Sequence, residues 1–252
     1  MKVSMNASLI ELENAPISST GWLIGAGIFE TLRTVDNLAY AYSRHIDRAV
    51  KSAAIANLTL PSLDLVASSI AQLLSAEPWP HGLLRISFDK NSQWAAVHFP
   101  YQPPTTTARV RIHPDYFISK GETIKSYPYE NRLAIVDEAK LLGFDEAIVC
   151  STEGKICEGA VSNIIFQIDG RWVTPPTSDG VLPGIMRGLV IDYCGVDVES
   201  VGLEKIEDIS GAILLSSLRI AQSIQSIDGR ELELSHAFCD EIHAMAVLHS
   251  VG

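Results

Sequence analysis

The sequence predicts a two-domain α/β protein of the α+β kind, with mixed sheets and flanking helices. Three observations predict it. Strand and helix signals alternate along the chain without an internal repeat, which suits mixed sheets better than a purely parallel one. The stretch Tyr101-Gln102-Pro103-Pro104-Thr105-Thr106-Thr107 interrupts that alternation and marks a boundary between residues 1–104 and 105–252. The length, 252 residues, and a balance of 47% hydrophobic to 19% charged residues suit one large or two smaller domains with proper cores.

The first domain opens with an extended segment. Gly25-Ala26-Gly27 then loosens the chain into a strand, Ile28 to Arg33. This Gly-x-Gly is no dinucleotide fingerprint, because the third glycine is missing and a strand rather than a helix follows. Asp36-Asn37 turns the chain into a second strand from Leu38 to Tyr42. Ser43 is placed to cap a helix from Arg44 to Asn57, with Ile46, Val50 and Ala53 on its inner face. Pro61 ends it, and a second helix, Leu63 to Leu74, begins behind Ser62. Strands follow at Leu83–Phe88 and Trp94–Phe99, around Lys90-Asn91-Ser92.

The second domain starts with a strand, Ala108 to Ile112, and is organised around the stretch from Gly121 to Asn163. There Lys125 sits in a short loop, Ile124 to Tyr129, just ahead of a helical pattern from Asn131 to Leu142. Leu133, Val136 and Leu141 recur at helical spacing, and Gly143 is a C-cap. A strand at Glu146–Cys150, a turn through Thr152-Glu153-Gly154 and a strand at Ile164–Phe166 follow, with Glu158 between the turn and the second strand. Beyond them come a loop at Pro175-Pro176 and Asp179-Gly180, a helix from Gly184 to Tyr193, and a buried strand at Ile213–Leu215. A strand from Ser226 to Leu232 around Asp228-Gly229 precedes a closing helix from Ser235 to Leu248.

Bulk properties exclude several classes. A net charge of -11 argues against nucleic acid or an anionic membrane surface as partner. No apolar run approaches a membrane span. The segment following Lys2 has no apolar core of a signal peptide, so a reducing cytoplasm is expected. Cys150, Cys157, Cys194 and Cys239 have neither metal-ligand spacing nor a Cys-x-x-Cys, so no metal is expected. Cys150 and Cys194 read as buried thiols, Cys157 as a spacer beside Glu158, and His98 and His113 as structural histidines.

Lys125-Ser126 ahead of a helix, followed by Glu158-Gly159-Ala160-Val161-Ser162-Asn163-Ile164-Ile165-Phe166, resembles the class IV aminotransferases, the fold-type IV family of pyridoxal-phosphate enzymes. In that family a lysine followed by Ser or Thr precedes the helix, and a Glu-Gly-x-x-x-Asn-hydrophobic-Phe run supplies a carboxylate. Here one more hydrophobic residue stands before Phe166, and the likeness extends over most of the chain. The resemblance implies pyridoxal 5'-phosphate as cofactor, a small-molecule substrate and a homodimer. It gives Lys125 the cofactor's aldehyde and Glu158 its pyridine nitrogen. An amine suits the first role because it condenses with the aldehyde and, once displaced by the substrate amine, carries protons. For that it must shed its own proton, through burial or a neighbouring cation. A carboxylate suits the second because it keeps the nitrogen protonated and the ring an electron sink.

Other positions carry over by the same resemblance. Arg48, in His45-Ile46-Asp47-Arg48, matches a His-x-x-Arg phosphate arginine. Gly184-Ile185-Met186-Arg187 matches a helix start whose amides at Ile185 and Met186 cup the phosphate, with Met186 where many relatives have Thr. Arg187 itself reads as a surface or interface charge. Ser217 matches a phosphate-donating Ser or Thr, and Tyr129 a tyrosine that reaches the phenolic oxygen, with Tyr127 as its competitor. Arg219 and Arg33 are the candidate substrate-carboxylate anchors, since a planar guanidinium suits a bidentate grip. For Arg33, pairing with Glu30 is the alternative.

Within the family, the short chain, Phe29-Glu30-Thr31-Leu32-Arg33 and Ser217-Leu218-Arg219 look most like 4-amino-4-deoxychorismate lyases. The Trp94–Phe99 strand has no Arg-x-His of the D-amino-acid type, and Arg85 has no Tyr-x-Arg-Pro run of the branched-chain type. The departures, Ser19-Thr20-Gly21 for Asp-Arg-Gly, Leu23 to Gly27 for Tyr-Gly-Asp-Gly, and Pro128 in the lysine loop, keep other substrates open. The alternatives are an aminotransferase acting on branched-chain or D-amino acids, and a non-catalytic cofactor-binding protein. Retention of both Lys125 and Glu158 speaks against the last.

Overall fold

The strand expected at residues 28–33 is the spine of the first sheet. In the computed structural model, which describes residues 1–115 and 123–249, Gly27–Val35 pairs along its whole length with His81–Asp89. Across this antiparallel sheet the order is Ser8–Glu11, Lys2–Met5, Trp94–Pro100, His81–Asp89, Gly27–Val35 and Leu38–Ala39. Ser126–Tyr127 makes a seventh strand, also paired with Gly27–Val35, among the described residues. Two helices, α1 (Tyr42–Ile55) and α2 (Leu63–Ala76), cover one face. Period-2 alternation sends Ile28 and Leu32 to that face, where they join Leu84, Ile86, Ile46, Ala53, Val66, Ile70 and Leu73 in one core. Each buried aliphatic side chain contributes about 1.5–3 kcal/mol. The same alternation sends Phe29, Thr31 and Arg33 to the opposite face.

Helix α1 departs from expectation in two ways. It begins at Tyr42, with Ala41 at a left-handed φ of 51° and no side-chain cap, so Ser43 lies inside the helix. Val50, expected on the inner face, is 43% exposed. The inner face is made instead by His45, Ile46, Arg48, Ala49, Ser52 and Ala53, because the strand beneath presents a carboxylate, Glu30, that polar side chains satisfy.

The second sheet is mixed, as the sequence predicts. Its path runs Asp197–Val198, Arg171–Thr174, Asn163–Ile168, Ile209–Ser216, Ile220–Ile227, Ala108–Ile112, Glu146–Cys150, Lys155–Gly159 and Val201–Gly202, with Arg230–Glu231 on Ile220–Ile227. Ala108–Ile112 runs parallel to both its neighbours. Its core includes Val110, Ile148, Ile164, Phe166, Leu214 and Ile224. The helices of this part are α3 (Glu130–Leu141), α4 (Ile185–Tyr193) and α5 (His236–His249). In α3 the buried residues are Ile135, Val136 and Ala139, while Leu141 is 88% exposed at the helix end. Lys155–Gly159, which carries Glu158, is a strand the sequence reading leaves out, as is Arg171–Thr174. The strand expected around Asp228-Gly229 is a hairpin, with Ile227 paired to Arg230.

Two units emerge: Met1–Pro103 together with Ile124–Pro128, and the described residues of Pro104–Thr123 together with Tyr129–His249. The sequence reading assigns all of 105–252, Lys125 included, to the second domain. Pairing of Ser126–Tyr127 with Gly27 and Ile28 places the lysine segment with the first. Gly121 and Glu122, at the head of the central stretch, lie outside the described residues. Among the described residues no helix is long and apolar enough to cross a membrane.

Candidate active site

In the first unit, a missing side chain brings Lys125 to its place. A Cβ on Gly27 would strike the Phe88 carbonyl and the Tyr127 hydroxyl, so glycine there lets the Ser126–Tyr127 strand dock. The Lys125 carbonyl accepts the Phe29 amide at 2.9 Å. The Lys125 Nζ lies 4.8 Å from the centre of the Phe29 ring. Phe29 also faces Arg85, whose guanidinium lies 5.8 Å from its ring and 4.5 Å from that of Trp22. Arg85 donates through Nε to Thr31 Oγ1 at 3.2 Å and through a terminal nitrogen to the Thr20 carbonyl. In the sequence Arg85 stands out only for the Tyr-x-Arg-Pro run it lacks; register opposite Thr31 puts it on the lysine's side of the sheet.

Arg33 shares that face, and its buried Nε has no hydrogen-bond partner among the described residues. It does not pair with Glu30, because residues three apart on a strand point to opposite faces. Of the two competing tyrosines, Tyr127 is buried and donates its hydroxyl to the Phe88 carbonyl at 3.3 Å. Burial, helped by Asp89, pushes its phenol above the ordinary value. Tyr129 stands at the N-cap position of α3.

Behind the sheet, Glu30, His45 and Arg48 form a buried cluster. Arg48 donates through Nε to Glu30 Oε1 at 2.8 Å and through a terminal nitrogen to Oε2 at 2.5 Å. His45 Nδ1 donates to Glu30 Oε2 at 2.6 Å, the direction a carboxylate requires. Burial drives the Glu30 carboxyl upward, but Arg48 and His45 together outweigh it and hold it at about 2, below the ordinary 4.5. Burial lowers the His45 imidazole below 6.5 despite Glu30. His98 is also lowered by burial; its Nδ1 donates to the Glu77 carbonyl and its Nε2 accepts from Thr34, each at 2.7 Å, the structural role expected of it.

These groups set an acid limit on stability. Below pH 6.5 the unfolded chain takes up protons at His45 and His98 more readily than the folded chain, so stability falls as pH drops, by at most about 1.4 kcal/mol per pH unit per histidine. The Glu30 contribution is complete above pH 4.5 and is lost as pH falls from there toward about 2. Urea midpoints measured from pH 8 to pH 4 should decline from about pH 6.5, and His98→Gln should flatten the upper part of that decline. A constant midpoint down to pH 5 would contradict the buried neutral histidines.

In the second unit, Glu158 is buried on the Lys155–Gly159 strand, where a bulge between Ile156 and Glu158 re-aims it. Its Oε2 accepts from Asn163 Nδ2 at 2.9 Å and from the Leu182 amide at 3.0 Å. Arg132, from α3, pairs with its Oε1 at 3.0 Å. Asn163 also donates to the Leu182 carbonyl at 3.0 Å. A Cβ on Gly184 would run into Asn163 Oδ1, so glycine allows α4 to start beside this cluster. That start, at Ile185 and Met186, has no side-chain cap, and first-turn amides have no partner within their own helix. Asn163 is paired with Leu215, so the turn Ser216–Arg219, which holds Ser217, leaves the same end of the sheet.

Arg219 reaches Glu146, its terminal nitrogen 2.8 Å from Oε2. Glu146 is almost fully buried, and its Oε1 accepts the Val161 amide and the Ser162 hydroxyl. Arg187, expected as a surface or interface charge, is buried, with one terminal nitrogen on the Pro175 carbonyl at 2.8 Å; burial lowers its pKa. Cys157 donates to the Asp179 carbonyl at 3.1 Å, and burial pushes its thiol to about 12, which makes it inert. Sequence reasoning missed Arg132, and no local pattern joins a helix arginine to a strand carboxylate twenty-six positions on.

The family described as amino-transferase class IV matches residues 27–227. The chain belongs to this family of pyridoxal-phosphate enzymes of fold-type IV. A Methanocaldococcus jannaschii protein assigned as a branched-chain-amino-acid aminotransferase is 25% identical over 231 residues, 82% of this chain and 78% of its own. The bifunctional aminodeoxychorismate lyase / D-amino acid transaminase of Mycobacterium tuberculosis is 22% identical over 262 residues, 88% of this chain and 90% of its own. Among solved structures, the branched-chain aminotransferase of Thermoproteus uzoniensis shares the fold with a TM-score of 0.85 at 23% identity, over 98% of this chain and 93% of that one.

The residues present fit the cofactor. The second unit holds a buried, already hydrogen-bonded carboxylate of the kind a ring nitrogen needs, in one cluster with amides suited to a phosphate. The first supplies an amine and a fixed guanidinium.

Proposed function

We propose that the protein is a lyase that converts 4-amino-4-deoxychorismate to 4-aminobenzoate and pyruvate. The observation that carries this reading is the face of the first sheet beside Lys125: Arg33 and Arg85 share that face with Phe29, and Arg85 lies over the rings of Phe29 and Trp22. A ring dicarboxylate matches two cations and aromatic walls better than an aliphatic side chain does. Bound pyridoxal 5'-phosphate supplies an aldehyde for the substrate amine and a ring that draws electrons from the amine-bearing carbon.

The chain's residues do the rest. Lys125 holds the cofactor, then takes the proton from the amine-bearing carbon. In the first unit Arg48, oriented by Glu30, would bind the phosphate; in the second that role falls to Ser217 and the amides of Ile185 and Met186. Glu158 would hold the ring nitrogen, and Tyr129 the phenolic oxygen. Arg33 and Arg85 hold the substrate carboxylates, whereas Arg219 is held by Glu146. Departure of the enolpyruvyl group as pyruvate leaves an aromatic ring, which makes the reaction strongly downhill.

The reading carries with it a cytoplasmic homodimer, which light scattering checks. The Methanocaldococcus and Mycobacterium relatives favour a second reading, amino transfer from branched-chain or D-amino acids. One assay separates them. The purified protein with aminodeoxychorismate alone should release pyruvate and 4-aminobenzoate in equal amounts. Conversion of an amino acid only when 2-oxoglutarate or pyruvate is added, with no pyruvate released from aminodeoxychorismate, would make it a transaminase.

A further inference from the structure

The Glu158 carboxylate is not reserved for the cofactor. Arg132 stands on α3, seven residues after Lys125, and holds Glu158 Oε1 at 3.0 Å through one terminal nitrogen. Its other terminal nitrogen donates to the Ala160 carbonyl at 3.3 Å, two residues beyond Glu158. Both side chains are largely buried, 15% and 5% exposed, so water screens the pair little. The guanidinium is thus fixed on the carboxylate and on the strand that carries it. Asn163 and the Leu182 amide hold the other oxygen.

A carboxylate bears one negative charge. If Glu158 faces the ring nitrogen, as the proposed function has it, a protonated nitrogen must share that charge with a guanidinium. Two cations on one anion repel each other, and the one that can lose its proton does so more readily; arginine cannot. We propose that Arg132 is a positioning residue that acts through Glu158 to loosen the cofactor's hold on its ring proton. Arg132 thereby weakens the electron sink and biases the site toward loss of a leaving group from the substrate, away from amino transfer to the cofactor. The inference rests on the Glu158 assignment but does not depend on which substrate is used.

The test reads the nitrogen itself. Protein loaded with pyridoxal phosphate labelled with nitrogen-15 in the ring is titrated by NMR, as wild type and as Arg132→Gln, Arg132→Lys and Glu158→Gln. Arg132→Gln should move the ring-nitrogen titration upward by about one to two pH units. Glu158→Gln should move it downward. Arg132→Lys keeps a charge but cannot grip Oε1 and the Ala160 carbonyl together, so it should move the titration upward by a smaller step. Identical titrations for wild type and Arg132→Gln, with Glu158→Gln still shifted, overturn the role of Arg132 alone. No shift in Glu158→Gln either would overturn it together with the Glu158 assignment. If Arg132→Gln does not fold, an unshifted Arg132→Lys overturns the proposal.

Discussion

Lys125→Ala is expected to abolish turnover, by about 10⁴-fold or more, the upper end of what a positioned base contributes, while leaving the fold intact. The two effects separate because the lysine's structural work is done by its backbone. Its carbonyl accepts the Phe29 amide, and the neighbouring Ser126–Tyr127 strand pairs with Gly27 and Ile28. An alanine keeps all of that. The contact of Nζ with the Phe29 ring is lost, roughly 0.5–1 kcal/mol. Steady-state kinetics beside thermal melting check the expectation, and borohydride reduction followed by peptide mapping locates the attachment. Label on Lys140 or Lys155, or a variant that keeps more than a hundredth of the wild-type rate, would show that another lysine carries the chemistry.

Arg219→Ala should act chiefly on stability. The sequence reading offers Arg219 as a substrate anchor, and then KM would rise with little change in melting. Its partner is Glu146, a carboxylate inside the second sheet, 1% exposed. Removing one member of such a pair strands the other's charge, a loss of about 3–5 kcal/mol. Arg219 keeps some solvent contact, so the lower end applies. For a chain of this size about 3 kcal/mol lowers Tm by roughly 6–12 °C. Arg219→Ala combined with Glu146→Gln should recover part of the loss, since a neutral amide is easier to leave buried. A variant that melts like wild type but needs far more substrate would return Arg219 to the substrate.

What the sequence made legible is what repeats or carries a signature. The strand from Gly27 and the helix from Leu63 have strong periods and appear as expected. Lys125, Glu158 and the α4 start come from a joined motif rather than from any single residue. What it hid depends on partners distant in the chain. Val50 and Leu141 fit helical periods yet are exposed, because the inner face of α1 is set by a charged strand residue and α3 ends at Leu141. Glu30 was legible in part: an odd spacing on a strand already excludes Arg33 as its partner. Lys155–Gly159 shows no strand signal of its own because it is short and follows the turn at Gly154, and only pairing on both edges makes it a strand.

The lysine's strand also bears on how such a chain can be divided or recombined. Residues 124–128 belong to the first unit, although they lie more than twenty positions past its last residue, Pro103. A fragment cut after Pro103 would leave Gly27–Val35 without one of its neighbours, and a fragment beginning at Pro104 would carry the lysine away from the sheet that seats it. Neither half is a self-sufficient module. Exchange of parts between relatives by a single crossover near residue 104 would split the lysine from its own scaffold; a viable chimera needs three junctions, with 124–128 travelling alongside 1–103.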